Sequence, residues 1–262
     1  MKTIDKAMSI LSFFSPNPAE HRLSDLARAS GIDKVTAMRI LSSLVSCGFV
    51  EQHPQTRHYR LGSAVLRLAR VREACVPMAA ALQPILNQLT EEVGETSHAC
   101  VFSGKHMTTV AVSEPGRPTR VFVDLTQPLP VHATASGQAF LAYADEATIE
   151  GVLNDLPVPA SFTSNTISSG AELRLRLEAI RERGCAVSTR SFEEEVTGIA
   201  APVFDSHGRV RATISAACIS SRMTPAFERE VEAAVRRACV KATSALDGEP
   251  PEIFLSKTME TV

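Results

Sequence analysis

No stretch of this chain approaches the ~18–20 uninterrupted apolar residues that a membrane span requires, so no transmembrane helix is expected. An apolar signal segment is also missing. Met1-Lys2-Thr3-Ile4-Asp5 runs straight into an amphipathic pattern without a small-residue cleavage site, and the protein is expected in the cytoplasm. The six cysteines (Cys47, Cys75, Cys100, Cys185, Cys218, Cys239) form no CxxC pair. In a reducing compartment they read as free, mostly buried thiols, and neither a disulfide framework nor a metal site is expected. No P-loop, dinucleotide-binding glycine pattern or nucleophile elbow occurs, so neither a cofactor nor catalysis is expected. Charge of one sign is not in large excess either, the net charge being -2. That balance hides an asymmetry. Residues 1–76 hold eleven Lys and Arg against six Asp and Glu, a balance of +5, whereas the remainder holds sixteen against twenty-three, or -7. A basic N-terminal part joined to an acidic remainder fits a nucleic-acid module attached to something that does not touch nucleic acid.

What is present is a chain of 262 residues, long enough for two domains, with 44% hydrophobic and 21% charged residues, as in globular proteins. Ile4, Ala7, Met8, Leu11 and Phe14 recur at helical spacing and predict a first helix, ended by Ser15-Pro16-Asn17-Pro18. Leu23-Ser24-Asp25-Leu26-Ala27 opens a second, with Ser24 as cap, Leu26, Ala27 and Ala29 inward, and Gly31 at the left-handed position after it. Asp33 caps a third helix whose apolar positions are Val35, Met38, Leu41, Leu44 and Val45. Two helices joined by a short Gly-containing turn form a helix-turn-helix, whose second helix enters the major groove with its N-terminal residues near the bases. Phe49–His53 and His58–Leu61 then pair as a hairpin, a wing with Arg57 and His58 at its tip and Arg60 on the returning strand. Cations there can contact phosphates.

Val65, Leu66, Leu68, Ala69 and Val71 predict a linker helix that could also dimerise, and Pro77 opens another, with Leu82, Ile85, Leu86 and Leu89 inward. After Gly94 the period changes to two. Strands are expected at 97–102, 107–113, 120–123, 185–192, 199–204 and 210–218, and helices at 137–144, 146–153 and 171–183, with a final helix from Thr224-Pro225. The fold class is therefore α+β, a winged helix-turn-helix over residues 1–62, a linker helix over 63–76, a mixed helix-and-strand sensor domain over 77–248 and a flexible tail over 249–262.

These residues resemble the IclR family of bacterial transcriptional regulators from about Ile4 to Arg222. Leu23–Ala27 and Lys34–Leu41 look like that family's helix-turn-helix, and His58-Tyr59-Arg60-Leu61-Gly62 like its wing end. Leu129–Ala139 is similar to its best-known motif, and Arg183–Val187, Phe192–Glu194 and Gly198–Val203 continue in register. The resemblance implies a GAF-like α/β effector-binding domain, a homodimer or dimer of dimers, a pseudo-palindromic double-stranded DNA operator, and an effector that is a small organic or aromatic acid. On the helix-turn-helix and wing it implies DNA contacts from Ser24, Lys34, Val35, Thr36, Arg39, Arg57, His58 and Arg60. Val35 stands where the family often has Ser, exchanging a hydroxyl for a methyl surface that suits a thymine methyl. Arg57 stands where Gly is common, so the turn loses its easy positive-φ residue.

By the same resemblance the effector lies between the sheet and residues 131–138, with His132, Ala133, Thr134, Ala135, Ser136 and Gly137 on one side and Thr197, Gly198, Ile199, Ser215 and Ala217 on the late strands. A helix beginning at Ala135 would present free N–H groups to an anion. Ala217 replaces a hydroxyl common in the family, which makes the pocket less polar. Two rival functions compete. One is an enzyme, with Cys100 beside a nearby His or Ser136 beside His132 as nucleophile and base. The other is a DNA-binding protein whose C-terminal domain only oligomerises.

Overall fold

The computed structural model describes residues 2–154, 161–252 and 254–255. The chain divides into two compact units, Met1–Pro77 and Met78–Val262. Among the described residues no helix is long and apolar enough to cross a membrane.

The first unit is built from α1 (Thr3–Leu11), α2 (Leu23–Ser30), α3 (Lys34–Ser46), β1 (Val50–Gln52), β2 (Tyr59–Leu61) and α4 (Ser63–Cys75). Its core joins Ile10, Leu26, Ala27, Ile32, Ala37, Ile40, Leu41, Val50 and Tyr59. Gly31 ends α2 at φ +65°, where a Cβ would be strained, and the Asp33 carboxylate caps α3 by accepting from the Thr36 N–H (2.9 Å). β1 and β2 pair antiparallel, Gln52 opposite Tyr59, and His21 adds a bridge to Tyr59. The expected inward faces need correction. Ile4 and Met8 of α1 and Val35, Met38 and Val45 of α3 are exposed, as is Ala29 of α2. The rest of the expected faces stands, Leu41 in the core and Ala7, Leu11, Phe14 and Leu44 packed against it, and Ile10, Ala37 and Ile40, which the spacing did not select, complete the buried stripe. Ser24 is not the cap of α2. That position is Arg22, and no side chain caps it.

The second unit begins with α5 (Met78–Val93), then β3 (Thr96–Ser103), β4 (His106–Ser113), β5 (Leu129–Pro130), α6 (Ala135–Ala142), α7 (Glu146–Asn154), α8 (Gly170–Arg183), β6 (Ala186–Thr189), β7 (Val196–Phe204), β8 (Val210–Ile219), a 3₁₀ turn (Ser220–Arg222) and α9 (Pro225–Ala245). The six strands form one antiparallel sheet in the order β5-β4-β3-β8-β7-β6. Helices α5 and α9 pack on each other and on the sheet, and α6 and α8 pack together, with α6 lying across β6, β7 and β8. Every residue of α6 is buried, which an eight-residue helix of mostly small and apolar side chains permits. Its approach requires Gly137, where a Cβ would lie 2.3 Å from the Val131 backbone. α8 has Ser169 as N-cap and Gly184 at φ +76° as C-cap.

Two expectations fail in this unit. Residues 120–123 form no strand. The Val121 carbonyl accepts from the Thr96 hydroxyl (2.7 Å), and the segment before it is tied down by buried Glu95, which pairs with Arg222 (2.9 Å) and Arg117 (3.6 Å). The strand beside β4 is β5 instead. Nor is the stretch after residue 248 simply loose. Phe254 is fully buried, its ring 5.3 Å from that of Phe204 and 6.0 Å from that of Tyr143, because an aromatic side chain gains more from burial than the tail loses in freedom. Residues 256–262 of the expected tail lie outside the described residues.

Candidate functional site

Asp33 fixes the start of α3, and from that anchored end Lys34, Val35, Met38 and Arg39 project outward. Val35 is 65% exposed, a position that burial of the core does not explain. Lys34 and Arg39, with Arg57 at the wing tip, make no ion pair with any described residue. Arg60 and His58 of the wing are engaged. Arg60 donates to the Glu51 carboxylate (3.0 and 3.1 Å) and lies 3.8 Å from Glu20, while the Arg22 Nε–H donates to His58 Nε2 (3.2 Å). Ser24 is exposed in the first turn of α2, 3.5 Å from Asp25. Thus Lys34, Val35, Arg39 and Arg57 are free to meet another molecule, Thr36 is half-buried, and Arg60 and His58 first serve to hold the wing.

Arg57 takes φ +59°, the left-handed region that costs a side chain of this kind roughly 1–2 kcal/mol. The wing therefore carries strain at the residue that supplies its free charge. We expect Arg57→Gly to raise the melting temperature while weakening DNA binding, so that stability and affinity move in opposite directions. A variant that loses both would show that Arg57 holds the turn.

In the second unit, the N-terminus of α6 meets β3, β7 and β8 at a cavity of about 90 Å³. Thr134 caps α6, accepting from the Gly137 N–H (3.2 Å) and donating to the Pro130 carbonyl (2.8 Å). Ser136 Oγ lies 2.6 Å from Ser215 Oγ and 3.3 Å from His98 Nε2. The Ser188 hydroxyl donates to the Ala133 carbonyl (3.0 Å). Of the residues that the resemblance assigns to the effector, Ala133, Thr134, Ala135, Ser136, Gly198, Ser215 and Ala217 line the cavity. His132, Gly137, Thr197 and Ile199 do not. Thr197 and Ile199 flank Gly198 on a strand, so their side chains point to the opposite face, and the Thr197 hydroxyl pairs instead with Ser220 (2.8 Å). Gly137 packs on Val131, and the His132 ring lies near that of Phe162, 6.0 Å between centroids.

The remaining wall comes from residues not anticipated. Val121, Phe122, Val123 and Asp124 reach the cavity from the loop pinned by Glu95 and Thr96, Phe192 and Glu193 from the approach to β7, and Val196 from its first position. His98 lies on β3 opposite Ser215. It is 6% exposed, and its Nδ1 is a buried polar atom without a hydrogen-bond partner. Only its place in an alternating strand facing Ser215 could have marked it in advance.

The chemistry of these groups does not suit a nucleophile. Burial pushes the Cys100 thiol up to about 11, so it stays protonated at neutral pH. Burial pushes His98 down to about 4, which makes it a poor base for Ser136, and no carboxylate orients its second nitrogen. Among the described residues no group of three His, Cys, Asp or Glu could hold a metal ion.

Family models match both units, "IclR helix-turn-helix domain" over residues 3–54 and "Bacterial transcriptional regulator IclR C-terminal" over residues 74–245. The chain belongs to the IclR family of bacterial transcriptional regulators. It is 26% identical to the HTH-type transcriptional regulator XynR of Escherichia coli K12 over 226 residues, 86% of this chain and 89% of that protein. It is 26% identical to the transcriptional repressor IclR of the same organism over 250 residues, 95% of this chain and 91% of that one. A crystal structure of an IclR transcriptional regulator from Silicibacter sp. TM1040 shares 36% identity and superposes with a TM-score of 0.87, covering 97% of this chain and 99% of that one. An IclR homologue from Microbacterium hydrocarbonoxydans, in complex with 4-hydroxybenzoate, superposes with a TM-score of 0.74 at 24% identity over 94% of this chain and 99% of that one. As an IclR-family regulator the chain pairs a helix-turn-helix with a C-terminal effector-binding domain of mixed helix and strand, GAF-like in its antiparallel sheet covered by helices.

In this IclR-family chain the buried imidazole has a measurable consequence. The pKa of His98 is lower in the folded state (about 4) than in the unfolded one (6.5). Between those values the unfolded chain binds more protons, so folding stability falls as the pH drops from about 6.5 to about 4 and is unaffected by this group above that window. One extra proton corresponds to a slope of at most ~1.4 kcal/mol per pH unit. Melting curves across this range should be flatter for His98→Asn than for the wild type, and equal slopes would show that His98 is solvated.

Proposed function

We propose that this chain is a cytoplasmic transcriptional regulator, acting as a homodimer or dimer of dimers on a pseudo-palindromic operator, and switched by a small organic compound held at the N-terminus of α6. The observation that carries the reading is the cavity itself, which gathers the hydroxyls of Ser136 and Ser215 and the His98 imidazole, its Nδ1 without a partner, inside a largely apolar wall. A concave, largely apolar site with a few convergent polar groups is what a small ligand needs and what a domain that only oligomerises does not. Phe122, Phe192 and Leu129 suit an aromatic ring, and the Microbacterium relative holds an aromatic compound, 4-hydroxybenzoate. On the DNA side we propose contacts from Lys34, Val35, Thr36, Arg39 and Arg57, with residues 63–76 linking the two units.

The effector acts through its different affinity for the DNA-competent and DNA-incompetent arrangements, and a compound that bound both equally would shift nothing. The test is fluorescence anisotropy with the DNA upstream of this protein's own gene, with and without each compound that raises the melting temperature. Operator affinity and transcription that both stay unchanged at saturating ligand would overturn the switch.

A further inference from the structure

Val121, Phe122, Val123 and Asp124 form one wall of the cavity. They belong to no strand, and Phe122 is 72% exposed. Ladder bonds therefore do not hold this wall, and burial holds little of it beyond Val121. A segment of this kind opens locally unless polar contacts tie it down. The Thr96 hydroxyl supplies one tie, donating to the Val121 carbonyl (2.7 Å). Arg222 supplies another, donating through Nη2 to the Thr119 carbonyl (2.9 Å) and through Nη1 to the Glu95 carboxylate (2.9 Å). Arg117 lies 3.6 Å from the same carboxylate oxygen. Glu95 is 1% exposed and its second oxygen is buried without a hydrogen-bond partner, so a buried charge depends on these two arginines.

The facing wall is fastened at the same place. Phe192 and Glu193 line it. Just beyond them the Glu195 carbonyl accepts from the Ser220 N–H (2.8 Å), and the Thr197 and Ser220 hydroxyls pair (2.8 Å). The 3₁₀ turn Ser220–Arg222 thus holds both sides of the mouth, although neither Glu95, Ser220 nor Arg222 lines the cavity.

We infer that Arg222 is a positioning residue of the effector site. Its guanidinium, seated on buried Glu95, clasps the Thr119 carbonyl and so keeps the 121–124 wall closed over the effector. The functional half of the inference rests on the reading of this cavity as the effector site. The clasp needs a fork, because a guanidinium reaches two acceptors from fixed coplanar donors whereas an ammonium is a compact point charge. Arg222→Lys keeps a charge for Glu95 but loses the fork that also reaches Thr119. It separates neutralisation of a buried charge from anchorage of the wall.

The experiment measures amide hydrogen exchange by mass spectrometry on the full-length protein without ligand, for the wild type, Arg222→Lys and Glu95→Gln. Exchange over residues 119–124 should quicken about tenfold in Arg222→Lys, the effect of losing one hydrogen bond from a charged donor, and less in Glu95→Gln. Residues 173–180 of α8 should be unchanged in both. Benzoate, a simple aromatic acid, is then titrated into each protein by calorimetry, and its affinity should fall in the same order. Wild-type exchange over 119–124 in Arg222→Lys overturns the inference and reduces Arg222 to a counter-charge for Glu95. Equal acceleration in α8 also overturns it, as a general loss of stability. A loosened wall with unaltered benzoate affinity shows that the wall does not enclose the ligand, which overturns the inference and leaves the cavity as the effector site. Absence of benzoate binding to the wild type at millimolar concentration overturns the cavity as an aromatic-acid site, and the exchange data then decide the clasp alone.

Discussion

Ala217→Phe is expected to abolish the effector response while leaving operator affinity unchanged in the absence of ligand. Ala217 sits on β8 directly opposite Gly198 of β7, is 4% exposed, and forms part of the cavity wall with Ser136 and His98. Forcing a phenyl ring into a filled core costs ~1–3 kcal/mol. Here the ring can enter cavity space that is otherwise empty, so the fold should survive with a smaller penalty. The ligand then loses its place. A bound effector at a hundred times its dissociation constant adds ~2.7 kcal/mol of stability, and the corresponding rise in melting temperature should vanish in the variant. Far-ultraviolet circular dichroism and anisotropy on the operator verify that the variant is folded and binds DNA. Should it still answer the effector, the switch lies elsewhere and the cavity is incidental.

The parts of this molecule that could be read from sequence are those fixed by local physics. The Gly31 turn, the Asp33 cap and the Thr224-Pro225 helix start depend on backbone geometry within a few residues, and each stands where the pattern put it. What escaped was set by distant partners. Arg120–Val123 has the composition of a strand, yet Thr96 and the buried Glu95 hold that stretch as a loop against the cavity. Phe254 lies far along the chain from Tyr143 and Phe204, and nothing near it predicts its burial. In the cavity, a contiguous motif pointed to the whole run from His132 to Gly137 and from Thr197 to Ile199. A strand shows only alternate residues to one face, so Gly198 was retained and its neighbours were not. The exposed apolar residues of α3 carry the converse lesson. Val35 and Met38 look like core by helical spacing, and their exposure is what makes them available to a groove.

Arg39→Ala should weaken specific operator binding by roughly tenfold to a hundredfold, the ~1–3 kcal/mol that one well-placed base contact contributes. Arg39 lies just beyond the first turn of α3, exposed and without an ion-pair partner among the described residues, on the helix that a helix-turn-helix places in the major groove. Arg28 of α2 is the internal control, since it is paired with Asp25 (3.3 Å) and its removal should cost little. Lys34 separates two kinds of contact. If it meets phosphate, Lys34→Ala weakens all sequences alike and lowers the salt dependence of log K by about one, whereas loss of a base-reading Arg39 narrows the gap between operator and random DNA. Anisotropy titrations over a salt series on both kinds of DNA distinguish these outcomes. Equal losses on operator and random DNA for Arg39→Ala would make it a phosphate contact and move base reading to Val35, Thr36 and Met38, where apolar contacts with thymine methyls would have to supply most of the specificity.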